Sequence, residues 1–203
     1  MRRWLKPADQ HDWGQSIMLP SNVKKKNEES KKAIKALLRD ESILVESAED
    51  AENLSSKGYG TLRDGKLLLT FYEAMYLHSK GLLKIEDDKT GKPVGFRDLL
   101  EKYENIDENA WVKYLIYRDL RSRGYVVREG FGLGIDFRLY ERGEYSKESA
   151  NYLVCGIYEG MPLSIEDLNQ ILNHTQNLKK TLILAVINRR GEIVYYSVSQ
   201  LNF

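Results

Sequence analysis

Cysteine, histidine and paired carboxylates, the side chains that most often carry catalysis, offer little in this chain. The single cysteine, Cys155, lies in the apolar run YLVCGIY and reads as a buried small residue with no disulfide partner. The three histidines, His11, His78 and His174, fall in separate segments. Asp136 has no second carboxylate at a spacing that would make a nuclease metal pair, so no metal and no cofactor is expected. Tyr140 closes a run in which Ile135, Phe137 and Leu139 alternate with Asp136, Arg138 and Tyr140. A phenol of ordinary pKa about 10 is a weak base near neutrality and needs a neighbouring cation to become a useful one. Lys180 stands just before the apolar run Thr181 to Ile187, where a cation at a helix end also suits the helix dipole. A strand end and a strand start can meet at one edge of a sheet. Taken alone, however, Tyr140 reads as a residue closing a strand with its hydroxyl in solvent.

The elements that would position these residues follow from periodicity. Asp107 reads as the cap of a helix whose apolar positions Trp111, Tyr114, Leu115, Ile116 and Leu120 recur at three- and four-residue steps, with Gly124 as its stop. The other face of that helix carries Lys113, Arg118, Arg121 and Arg123. A strand from Tyr125, a glycine reversal at Gly130, Gly132 and Gly134, and the strand ending in Tyr140 come next. From Lys113 to Arg142 there are seven basic and four acidic residues, a surplus of three, although the chain carries only +1 overall. A basic face of this kind suits phosphate contact. Arginines beside Asp119 and Glu129, Arg128 among them, are as often paired internally.

After Tyr140 the pattern gives a polar loop, a strand from Tyr152 to Tyr158, and a helix opened by Ser164 and Asp167 with Ile165, Leu168, Leu172 and Leu178 on one face. Two strands follow, Thr181 to Ile187 and Ile193 to Val198, around a turn at Asn188 to Gly191. Upstream, an apolar run from Ile34 to Val45 precedes a polar stretch. A turn at Asp64-Gly65, a capping box at Thr70 and Glu73 with its helix, a short strand LLKIEDD and a helix from Phe96 to Tyr103 complete that half. The class is therefore α/β, in the α+β sense: an extension or linker over 1–32, a small mixed α/β N-terminal domain over 33–104, and a C-terminal domain over 105–203 with a mixed sheet flanked by helices. At 203 residues and 42% hydrophobic composition the chain can bury a substantial core. No run approaches the roughly 20 apolar residues of a spanning helix, and the N-terminus MRRWLKPADQHDW lacks a signal-peptide centre, so a cytoplasmic protein without membrane partners is expected.

KYLIYRDLRSRGYVVREG followed by GIDFRLYERG resembles the signature of the archaeal tRNA-splicing endonucleases, YLVYxDLRxRGYxV followed by GxDFRxYxRG. LTFYEAMYLHSKGLLKI also resembles that family's N-terminal domain, so the likeness runs from about Ile43 to Tyr196. It implies a nuclease-like C-terminal domain and a metal-independent cleavage of precursor tRNA at bulge-helix-bulge sites. In that reaction a tyrosine takes the proton of the ribose 2′-hydroxyl, a histidine protonates the leaving 5′-oxygen, and a lysine stabilises the charged transition state. The products are a 2′,3′-cyclic phosphate and a 5′-hydroxyl. By the resemblance the tyrosine is Tyr140 and the lysine Lys180, with Lys179 as the other alignment.

The resemblance breaks at the histidine. Where the family reads KEHxxYLV this chain reads KESANYLV, placing Ser149 at the histidine position. A serine hydroxyl is no imidazolium, and loss of a positioned acid costs about two to four orders of magnitude in rate. Two readings therefore stand, a cutting subunit and a non-catalytic structural subunit of the same assembly. His174 is the nearest histidine to Lys180. The family arginine that clamps a base of the bulge is replaced by Asn173 beside His174. The RNA-contacting set expected is Arg118, Arg121, Arg123, Arg138 and His174. The resemblance further implies a two-fold homo- or hetero-oligomer with closing strands paired between subunits, in which an acidic loop of one enters a basic pocket of another. Here that loop, YEGMPLS, has Glu159 as its only acid.

Overall fold

The computed structural model describes residues 6–7, 33–40, 42–141, 143–145 and 149–200. The expected extension over 1–32, including Trp4, His11 and Trp13, lies outside these apart from the two-residue strand β1, Lys6–Pro7, which pairs antiparallel with the last strand.

The N-terminal domain is a six-stranded mixed sheet in the order β4-β5-β3-β2-β6-β7. The apolar run from Ile34 is a hairpin, β2 (Ile34–Arg39) and β3 (Ser42–Val45), reversing after Asp40. The polar stretch after it is a helix, α1 (Ala48–Ser56), capped by Ser47, whose hydroxyl accepts from the Asp50 amide. It buries only Ala51 and Leu54, too sparse an apolar stripe to announce itself by period. Strands β4 (Thr61–Arg63) and β5 (Lys66–Leu69) turn at Asp64-Gly65, both with positive φ, as a two-residue hairpin requires. Helix α2 (Phe71–Ser79) is buried along nearly its whole length. Strands β6 (Leu83–Asp87) and β7 (Pro93–Val94) and helix α3 (Phe96–Glu104) complete the domain.

The C-terminal domain opens with α4 (Ala110–Ser122). Asn109, not Asp107, stands at its cap. Asp107 forms a turn ahead of it, accepting from the Asn109 amide and pairing with Lys113 at 2.6 Å. The sheet runs β1-β12-β11-β10-β9-β8, built from β8 (Val126–Gly132), β9 (Ile135–Tyr140), β10 (Tyr152–Tyr158), β11 (Thr181–Ile187) and β12 (Ile193–Val198). Strand β8 continues through Gly130 and Gly132 with a bulge, so the reversal is the pair Leu133-Gly134 alone. All pairs are antiparallel except β10 with β11, whose connection carries α5 (Ile165–Asn177).

Two apolar layers cover this sheet. On one face α4 contributes Tyr114, Ile116, Tyr117 and Leu120 to a core shared with Phe137, Val154 and Ala185, and with the N-terminal domain through Tyr72 and Tyr76. On the other, Ile171 and Leu172 of α5 pack on Ile135, Leu153, Cys155, Leu182 and Leu184. The buried stripe of α5 is thus Ile171, Leu172 and Thr175, with Leu168 at its margin. Ile165, 71% exposed, and Leu178, 42% exposed, fall outside it because the first turn and the cap of α5 project beyond the packed surface.

Candidate active site

Tyr140 is the last residue of β9 and Lys180 the residue before β11, and the strand between them fixes both to one end of the sheet. Asn151, at the entry to β10, is the hub. Its amide donates to the Leu139 carbonyl at 3.2 Å, and its own carbonyl accepts from the Thr181 amide at 3.1 Å. Each of these partners is one residue from Tyr140 or Lys180. Ser149 lies two residues ahead of Asn151 and completes the cluster: the Lys180 ammonium donates to Ser149 Oγ at 2.5 Å. Ser149 is exposed, whereas Lys180 and Tyr140 are half-buried. The Tyr140 ring meets Tyr145 edge to face, with centroids 5.2 Å apart.

Lys180 is held there by the way α5 ends. The Lys180 amide donates to the Thr175 carbonyl and the Lys179 amide to Gln176, the paired bonds of a Schellman stop. Lys179 takes the left-handed position with φ 55°, where glycine is usual. Of the two adjacent lysines, then, Lys179 terminates the helix and Lys180 reaches Ser149. The same stop ends α4, with Gly124 in the left-handed position and the Tyr125 and Gly124 amides on the Leu120 and Arg121 carbonyls.

The basic residues divide. Arg121 is spent between the domains: its guanidinium lies 3.8 Å over the Tyr59 ring and donates to the Lys57 and Tyr125 carbonyls. Arg123 donates to Asp119 at 2.7 Å and lies over Tyr195, whose hydroxyl donates to the same carboxylate oxygen. Arg128 reaches across the domains to Glu73, the Gly58 carbonyl and Thr61 Oγ1. Arg118 is exposed beside Tyr114. Arg138 donates to the Glu129 carbonyl and stacks over Phe131, whose other neighbour is the edge of His174. Phe131, 47% exposed, is therefore the residue on which Arg138 and His174 converge. By pattern GFGLG reads only as a loop; the aromatic amid its glycines is the one signal it offers.

Asp136 is committed to neighbouring elements. It accepts from the Gly156 amide at 2.7 Å and pairs with Lys113 at 3.3 Å, and burial raises its carboxyl above the ordinary range although both partners oppose this. Such an aspartate fixes β10 to β9 and α4. Among the described residues no group of three or more histidine, cysteine or acidic side chains is placed to hold a metal ion, and no helix is long and apolar enough to cross a membrane.

A phenol, a hydroxyl and an ammonium at one sheet end can act on a phosphodiester by moving protons and stabilising charge. Comparison with known families gives two matches. Residues 34–100 match the N-terminal domain and residues 110–195 the catalytic C-terminal domain of tRNA intron endonuclease. The tRNA-splicing endonuclease of Methanococcus maripaludis is 37% identical over 171 residues, covering 84% of this chain and 96% of that protein. That of Pyrococcus furiosus is 35% identical over 148 residues, 73% and 84% of the two chains, and that of Methanothermobacter thermautotrophicus 34% over 168 residues, 81% and 96%. The two-domain architecture, the matches to both family domains and these identities over most of the chain together make this protein a member of the tRNA-splicing endonuclease family.

Proposed function

We propose that this chain is a cutting subunit of a tRNA-splicing endonuclease that recognises bulge-helix-bulge precursor tRNA and cleaves at the intron boundaries without a metal. The observation that carries the reading is the convergence of Tyr140, Ser149 and Lys180 at one end of the C-terminal sheet through Asn151. Tyr140 and Lys180 are separated by a single strand, about 10 Å between backbones at the usual strand spacing. A phenol on one side and an ammonium on the other can close that distance on one phosphodiester. In this reading Tyr140 takes the 2′-hydroxyl proton and Lys180 stabilises the developing charge on phosphorus. Phe131, flanked by Arg138 and His174, offers a surface for an unstacked base, the usual way a protein reads splayed RNA. Arg118 supplies phosphate contact, while Arg121 and Arg123 act through the fold that presents it. The assembly is a two-fold oligomer in the cytoplasm.

A second reading, a structural subunit that positions a complete partner, is favoured by one observation: Ser149 stands where the resemblance calls for histidine. One experiment separates the two. The purified chain is incubated in EDTA with a bulge-helix-bulge RNA and the product ends are analysed. The cutting reading expects a 2′,3′-cyclic phosphate and a 5′-hydroxyl. RNA binding without cleavage by the chain alone, and cleavage only with an added complete subunit, would instead establish the structural reading.

A further inference from the structure

The cutting reading leaves one proton without a source. When the 2′-oxygen bonds to phosphorus and the bond from phosphorus to the 5′-oxygen breaks, the departing oxygen must gain a proton or leave as a costly alkoxide. We propose that Lys180 supplies that proton through Ser149, the pair replacing an imidazolium. This inference rests on the cutting reading and deepens it.

The contact has the right polarity. An ammonium has donors and no acceptor, so in the pair at 2.5 Å Lys180 donates and Ser149 Oγ accepts. The serine keeps its own O–H for an outside acceptor, and Ser149 is exposed, where an RNA oxygen can reach it. Donation from a cation polarises the hydroxyl and strengthens its outward hydrogen bond. Both residues are also fixed in place. The Lys180 backbone is tied into the stop of α5, and Ser149 leads directly to Asn151, which is bonded to both flanking strands.

The step balances. Tyr140 first gives its phenol proton to solvent and then takes the 2′-hydroxyl proton as the new oxygen–phosphorus bond forms. The Ser149 proton passes to the 5′-oxygen as the old bond breaks, and a Lys180 proton replaces it on Oγ. Tyr140 is then a phenol again and Lys180 has lost one proton, which solvent returns. Ser149 is the residue that touches the leaving group; Lys180, with three N–H donors, reaches the leaving oxygen through Ser149 while another donor faces the phosphoryl charge.

The test uses two RNAs that differ in one atom, the normal bulge-helix-bulge substrate and one whose leaving 5′-oxygen is replaced by sulfur. A thiolate leaves without protonation. Ser149→Ala is expected to slow cleavage of the oxygen-linked RNA by about a hundredfold or more, the worth of a positioned acid, and to cleave the sulfur-linked RNA at the parent's rate. Ser149→Thr, which retains the hydroxyl, is expected to restore most of the activity on oxygen. Equal losses on both RNAs would mean that Ser149 only holds structure, and no loss on either would mean that it does nothing; each overturns the relay. A parent that cuts only the sulfur-linked RNA also overturns the relay while leaving the cutting reading intact. A parent that binds both RNAs and cuts neither overturns the cutting reading itself.

Discussion

Lys180 touches Ser149, and its neighbour Lys179 does not share the task. Two adjacent lysines of the same chemistry are separated by backbone conformation: Lys179 is left-handed at φ 55° and ends a helix, and Lys180 begins a strand and places its ammonium on a serine hydroxyl at 2.5 Å. That division of labour makes the two positions respond oppositely to substitution.

Lys179→Gly is expected to stabilise the protein. A left-handed conformation costs a residue with a Cβ about 1 kcal/mol or more, and glycine adopts it freely. Thermal unfolding should shift upward by about 2–4 °C for a chain of this size, with cleavage unchanged. A downward shift would show that the lysine side chain contributes more at this corner than its backbone costs.

Arg128 and Glu73 join the domains, with the guanidinium 3.4 Å from a carboxylate that also accepts the Gly60 and Thr70 amides. The carboxylate is 3% exposed. Arg128→Ala strands a buried charge and should cost about 3–5 kcal/mol in denaturant unfolding, with part regained in Arg128→Ala/Glu73→Gln.

The same pair gives a pH dependence. Burial raises the Glu73 carboxyl above its ordinary value of 4.5, and the amides and Arg128 only partly oppose it. Between that value and the raised one the native state binds more protons than the unfolded state, so this group's contribution falls as pH rises through the window. Removing Arg128 raises the native carboxyl further. The deficit of Arg128→Ala should therefore shrink as the solution is acidified from neutrality toward pH 4.5. A deficit that grows on acidification would contradict the sign.

Cys155 is 6% exposed, and burial, with the nearby Asp136 charge, pushes its thiol up to about 12. At pH near 8 an exposed thiol of ordinary pKa about 8.5 is partly thiolate and reacts readily. The native protein should resist a disulfide reagent there and yield its one thiol only on unfolding. Rapid native labelling would place Cys155 at the surface.

Much of the C-terminal domain was legible because its signals are local. β10, β11 and β12 have the bounds that apolar runs and turns predict, and Ser164 and Asp167 open α5 as their spacing requires. The polar helix α1 was not legible, since two buried residues make no stripe, although Ser47 was a usable cap signal. Asp107 looked like a cap because its type is right, yet its carboxylate is committed to Lys113 and to the Asn109 amide. The fates of Arg121 and Arg128 could not be read at all: their partners in the N-terminal domain lie 55 to 70 residues away, and only the docking of the two domains brings them together. For the candidate site, position along strands suggested that Tyr140 and Lys180 share a sheet end, and the resemblance put Ser149 with them. The direct bond between Ser149 and Lys180 depends on a helix stop at a lysine, which no local pattern announces.

The most direct measurement is the single-turnover cleavage rate of a bulge-helix-bulge RNA by Tyr140→Phe and Lys180→Ala in EDTA, beside the parent and at saturating protein. The result expected is that both variants bind the RNA as the parent does and cut it at least about a hundredfold more slowly. Cleavage by either variant at the parent's rate would contradict the placement of the active centre at this end of the sheet.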